Sequence, residues 1–152
     1  VARPISNPRV TQWRGRWVGV ILEVGPDRTA AVERLKTGRK HLAQAEQLLR
    51  LGLPDVALLL AEAALVNGAD AILRLHGFQV SSHAARFAYP RLPPTYTHNP
   101  GLLARIRTAR NESQYEAAEL VSSDFAARAV HLAMEALEAV GGAMSKAWEP
   151  TI

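Results

Sequence analysis

Residues 54–76 read PDVALLLAEAALVNGADAILRLH, and this run decides the fold class. Pro54 suits the first turn of a helix, where the N–H it lacks would be unpaired in any case. Gly77 follows His76 as a stop signal. Between these marks the run is apolar on most sides, the pattern of a central, fully packed helix rather than a surface one. Its longest apolar stretch, Val56 to Val66, is broken by Glu62 and falls short of the roughly 20 residues a bilayer requires. No transmembrane helix is expected.

Helical signals continue on both sides of this run. Upstream, Leu35, Leu42, Ala45 and Leu49 recur at helical spacing, predicting a first helix from Asp27 or Thr29 to Leu51 that Gly52 ends. Downstream, FQVSSHAARFAYPRLPPTYTHNPG (78–101) contains four prolines and is expected to be irregular, apart from a short helical piece near Ser82 to Ala88. Irregular segments this long are often functional. Asn99 and Pro100 form a capping and first-turn pair for a third helix, LLARIRTARNESQYEAAEL. Ser122 or Ser123 caps a fourth, with Phe125, Ala129, Leu132 and Ala136 along one face and Gly141 and Gly142 expected to stop it.

No internal repeat is visible, and no strand alternation supports a sheet. The expected fold is all-α: an antiparallel four-helix bundle with a long irregular crossover and an extended N-terminal arm. Residues 1–26 form the arm, 27–142 the bundle and 143–152 a tail. Pro4, Pro8, Gly15, Gly19, Gly25 and Pro26 punctuate the arm, leaving room only for a short strand over Trp17 to Val24. Its basic residues and two tryptophans can either contact nucleic acid or dock on the bundle.

The 152-residue chain has no cysteine, which excludes a disulfide framework, a thiolate zinc site and a cysteine nucleophile. No secretory signal is evident, and a cytoplasmic protein is expected. The formal net charge of +4 conceals strong segregation. Residues 1–40 carry nine Lys/Arg against three Asp/Glu, while the remainder carries nine against eleven. From Ala71 through Asn111 there are six arginines and no acid, a block that can hold a local positive field.

Several chemistries are excluded by their motifs. The chain lacks a Gly-x-Gly-x-x-Gly fingerprint, a Gly-Lys-Ser/Thr phosphate loop and a Gly-x-Ser-x-Gly elbow. It also lacks the Glu-x-x-His pair that a ferritin-like di-metal bundle needs. His131 and Glu135 lie one helical turn apart, a spacing that reads as a surface contact rather than a metal site. Glu112, Glu116 and Glu119 read as a solvated face. No metal and no cofactor are expected. His76, at the end of its helix, is expected to interact with the helix carboxyl terminus.

The third helix carries the strongest polar signal. Arg107, Asn111 and Tyr115 fall at i, i+4 and i+8 and form one stripe, with Arg110 beside it. Guanidinium groups offer forked donors to phosphate, an amide can donate or accept, and a phenol can stack on a base. An arginine-rich face paired with acids of a neighbouring helix is the other reading of the same residues. His83, with Arg86 nearby in the irregular crossover, is the other candidate for proton transfer.

The segment RNESQY, Arg110 to Tyr115, resembles the arginine-asparagine motif of the HEPN superfamily (higher eukaryotes and prokaryotes nucleotide-binding domains), whose ribonuclease members place a histidine after the arginine and a short spacer. The upstream helix pair, the Gly77 loop and Ser82-His83 are similar to that family as well, so the resemblance covers roughly Arg39 to Val140. It implies a helical bundle that dimerises, with two Arg-centred motifs lining one cleft. It also implies binding of RNA or nucleotide phosphate and, in toxin-type members often encoded beside a nucleotidyltransferase antitoxin, metal-independent endoribonuclease activity. On this reading Arg110, Asn111 and Tyr115 are the catalytic positions, and Arg107, Gln114, His83 and Arg86 contact substrate. Tyr115 stands where the ribonuclease members have histidine. A phenol titrating near 10 is a poor general base, whereas phosphate binding by Arg110 and Asn111 does not depend on that exchange. On a straight helix at about 100° per residue, Arg110 and Tyr115 point about 140° apart, so their convergence needs a distortion near Ser113 or a second subunit. The alternative function is a non-catalytic helical interaction module that docks a nucleotidyltransferase or another protein.

Overall fold

The computed structural model describes residues 9–13, 16–115 and 121–147, with side chains over 19–111 and 121–147. The chain is mostly helical. Four long helices, α1 (Arg28–Arg50), α2 (Pro54–His76), α5 (Pro100–Tyr115) and α6 (Ser123–Ala147), are joined by two short ones, α3 (His83–Phe87) and α4 (Pro94–Thr97). Helix α2 packs against α1, α5 and α6, and α1 also touches α6. Among the described residues α2 alone is long and apolar enough to cross a membrane, and two-thirds of its apolar window is buried in the protein, as a core helix requires.

Local chemistry sets the helix ends. The Asp27 carboxylate accepts from the Ala30 N–H at 2.9 Å and starts α1. Ser82 accepts from the Ala85 N–H at 3.1 Å and starts α3. Ser122 accepts from the Phe125 N–H at 3.1 Å at the start of α6. Gly77 closes α2 in the left-handed region at φ 93°, which costs a residue without Cβ little. The core is built from the faces that the spacing predicts: Leu35 and Ala45 of α1 are buried, as are Ala129, Leu132 and Ala136 of α6, while Leu42, Leu49 and Phe125 pack at its margin.

Two expectations change. The first concerns the arm, where the strand expected over Trp17 to Val24 is present as β2 (Arg16–Glu23) but belongs to a three-stranded antiparallel sheet, between β1 (Arg9–Trp13) and β3 (Phe78–Val80). Ile21 pairs with Val80 and Glu23 with Phe78, so the arm docks by its backbone on the segment after α2. The Val24 N–H adds a bond to the Gly77 carbonyl at 2.8 Å, and Ser81 Oγ accepts from the Val20 N–H at 3.0 Å. β3 is only three residues long and β1 carries a register shift between Thr11 and Gln12, so neither shows a long alternating pattern. The Trp13 and Trp17 side chains lie outside the described residues.

The second concerns the carboxyl end, where α6 runs through Gly141 and Gly142 to Ala147 and replaces the first part of the expected tail. Each glycine costs a helix about 1 kcal/mol relative to alanine. Burial of Val140 and Met144 on either side of the pair holds the helix on the core and outweighs that cost, at about 1.5–3 kcal/mol per buried side chain.

The crossover after β3 is pinned to α2 by Tyr96. Its hydroxyl donates to the Leu65 carbonyl at 2.7 Å and lies close to Gly68, where a Cβ would collide with the Tyr96 oxygen and with Leu137. This contact fixes α4 and the start of α5 against the centre of the molecule.

Candidate functional site

Helix α2 carries two acids on its inner face, Glu62 and Asp70, separated by about two turns. Each meets an arginine that the chain brings from a different element. The Glu62 Oε1 atom lies 3.4 Å from Arg107 Nη1 and 3.9 Å from Arg110 Nε, both on α5. Asp70 Oδ1 accepts from Arg86 Nε of α3 at 2.6 Å. The other end of the Arg86 guanidinium, Nη1, lies 3.1 Å from His83 Nδ1.

Glu62 is 5% exposed, and its second oxygen, Oε2, has no hydrogen-bond partner among the described residues. Burial pushes its carboxyl above the ordinary range, against the opposing pull of Arg110, then Arg107 and Arg86. His83 moves the other way. Desolvation, followed by Arg107, Arg86 and Arg110, lowers its imidazole to about 4, and Asp70 opposes only weakly. A guanidinium can only donate, so Nδ1 of His83 must accept. His83 is therefore neutral near pH 7 and carries its proton on Nε2, as a hydrogen-bond donor held in one tautomer by the Asp70–Arg86 pair.

The six arginines of the acid-free block do not act together. Arg74 pairs with Asp27 at 3.4 Å, Arg91 lies over the Tyr89 ring at 5.3 Å, and Arg105 lies over Phe125 at 5.0 Å. Arg86, Arg107 and Arg110 are the three that gather at α2. Among the described residues these three guanidinium groups meet the carboxylates of Glu62 and Asp70 in surroundings that are partly dry.

Of the residues singled out by sequence, the structure brings Arg107, Arg110, Arg86 and His83 together. Asn111 is half-buried beside them, with its Oδ1 3.4 Å from Arg110 Nη1. The side chains of Gln114 and Tyr115, and those of Glu112, Glu116 and Glu119, lie outside the described residues. The backbone of α5 is helical through Ser113 to Tyr115. His76 lies in the last turn of α2, beside its carboxyl end. Its Nδ1 lies 2.6 Å from the Tyr89 hydroxyl, because the crossover folds back beside the end of α2. His131 and Glu135 form an exposed pair at 2.7 Å on the surface of α6.

Glu62 and Asp70 are the members of the site that the motif reading did not include. Their signal was present: an acid in the middle of a helix apolar on most sides needs a partner, because an unpaired buried charge is costly.

Beside this cluster is a cavity of about 520 Å³ between α3, the crossover and α5, bordered by His83 and Arg107. No protein-family model, curated protein or solved structure matches this chain.

Proposed function

We propose that the chain is a HEPN-like protein that binds the phosphodiester of RNA, or a nucleotide phosphate, at the cluster formed by Arg107, Arg110, Asn111 and the neutral His83. The observation that carries this reading is the convergence of three guanidinium groups, Arg86, Arg107 and Arg110, beside one stretch of α2, an arrangement of forked donors that suits a phosphodiester. Partial burial strengthens that attraction relative to bulk water. His83 contributes a donor rather than a base. With its imidazole lowered to about 4 it is rarely protonated near neutral pH, and Tyr115 as a phenol is a weak base there. The chemistry at hand favours binding over cleavage, with endoribonuclease activity requiring a proton acceptor from elsewhere.

On a continuous helix positions 110 and 115 lie about 140° apart, and we infer from this that a complete motif is assembled across a two-fold axis in a homodimer. The internal pairing of Arg107 and Arg110 with Glu62 favours a second reading, a non-catalytic module that docks a nucleotidyltransferase or another protein, because part of the positive charge is already used inside the chain.

The test is anisotropy of a labelled single-stranded RNA titrated with the protein. Affinity is expected to fall as salt rises and to drop about ten-fold in Arg110→Gln, with a shallower salt dependence. Equal affinity of wild type and the Arg107→Gln/Arg110→Gln double variant overturns the phosphate reading. A monomer by light scattering at micromolar concentration overturns the shared cleft.

A further inference from the structure

The phosphate reading uses the polar end of α5 and leaves the rest of the same helix face unexplained. Pro100, Leu103, Ala104 and Arg107 fall at i, i+3, i+4 and i+7, and all four border the 520 Å³ cavity. This volume lies within the range of about 300–1,000 Å³ that holds small molecules. Across from α5, Phe87 and Tyr96 present two nearly parallel rings, with centroids 6.0 Å apart and planes at 22°. The Tyr96 hydroxyl is committed to the Leu65 carbonyl, so this residue offers the cavity only its ring. Ala84 and Ala88, one turn apart, together with Ala104, leave open the space that longer side chains would fill.

The polar side chains on this wall are few: His83, Tyr89, Thr97 and Arg107. Among the described residues no carboxylate borders the cavity. The Arg107 side chain is 38% exposed, and its tie to Glu62 is long at 3.4 Å, so the forked guanidinium retains donor capacity. His83 has Nδ1 taken up by Arg86 and keeps Nε2–H to donate. Tyr89 is engaged with His76. An apolar, ring-lined space with a guanidinium and a neutral donor at its border is complementary to a flat body bearing one negative charge.

We propose that this cavity binds a small aromatic monocarboxylate, with its ring against Phe87, Tyr96 and Leu103 and its carboxylate held by Arg107 and the Nε2–H of His83. The site extends beyond the phosphate reading and shares only Arg107 and His83 with it.

The experiment is calorimetric titration of the whole chain with 2-naphthoate and with its neutral counterpart 2-naphthamide. The acid is expected to bind saturably and at least about ten-fold more tightly than the amide. Ala104→Trp, a substitution at an exposed position of α5 that fills the cavity, is expected to abolish binding; Ala88→Leu fills it from the opposite wall and gives the same loss if the first variant is unfolded. Arg107→Gln is expected to bring the acid down to the level of the amide. Absence of saturable binding of 2-naphthoate up to about 1 mM overturns the proposal, as does equal affinity for acid and amide, or undiminished binding in the folded cavity-filling variants. RNA binding without naphthoate binding defeats this inference alone, and naphthoate binding without RNA binding defeats the phosphate reading alone.

Discussion

Glu62 and Arg107 meet across the α2–α5 contact, with a buried carboxylate 3.4 Å from a guanidinium that is 38% exposed. The asymmetry matters. The acid has lost its water and depends on the arginines, whereas Arg107 keeps one side available to a ligand. A buried charge with one oxygen unpartnered among the described residues is costly unless its neighbours compensate it, and Arg107 and Arg110 do so in part.

Substituting Glu62 tests that balance. Glu62→Gln keeps an acceptor for Arg107 and removes the buried charge, while Glu62→Ala leaves two arginines facing a cavity. Glu62→Ala is expected to cost about 3 kcal/mol or more in urea unfolding, and Glu62→Gln clearly less. Because the folded carboxyl is raised above its unfolded value, its stabilising contribution is complete below the ordinary glutamate pKa and declines as pH rises through the folded value. Wild type is therefore expected to gain stability relative to Glu62→Gln as pH falls toward that range. Glu62→Gln removes a negative charge beside Arg107 and is expected to raise RNA affinity.

His83 titrates in the opposite sense. Its folded value of about 4 lies below the unfolded value near 6.5, so the unfolded chain binds the extra proton in that window. Stability relative to His83→Gln is expected to be complete above pH 6.5 and to decline as pH falls toward 4. Nitrogen-15 spectra of the imidazole are expected to show the Nε2–H tautomer at pH 7. A midpoint near 6.5, or a proton on Nδ1, contradicts the donor role.

Gly68→Ala places a methyl group against the Tyr96 hydroxyl and Leu137. The variant gains about 1 kcal/mol of helix propensity but forces apart a close-packed contact, for a net loss expected at about 1–3 kcal/mol by thermal or urea unfolding. Adding Tyr96→Phe removes the oxygen and is expected to recover part of the loss.

Tyr115→His restores an imidazole at the third position of the Arg-Asn motif. If the phosphate site is otherwise competent, RNA cleavage is expected to appear in a gel assay, with a rise of about 100-fold or more over wild type. Unchanged intact RNA at high protein ratio contradicts a latent ribonuclease.

Much of the fold is legible along the chain. The limits of α1, α2 and α3 follow from Asp27, Pro54, Gly77 and Ser82, because a cap or a turn is an interaction within a few residues and its partner lies in the same short string. The placement of Arg107 and Asn111 one turn apart on α5 follows in the same way from the 3.6-residue period.

Contacts between distant segments are not written locally. Arg107 meets Glu62 across 45 residues, and Ile21 pairs with Val80, because packing of whole elements brings them together. That packing also carries α6 past two glycines that propensity alone would make a stop. It sorts the six arginines of the acid-free block, sending three to partners such as Asp27 and Phe125 and three to α2. Charge and helical period are properties of the string; which charges face each other, and which are stripped of water, depends on long-range burial that only the folded chain creates.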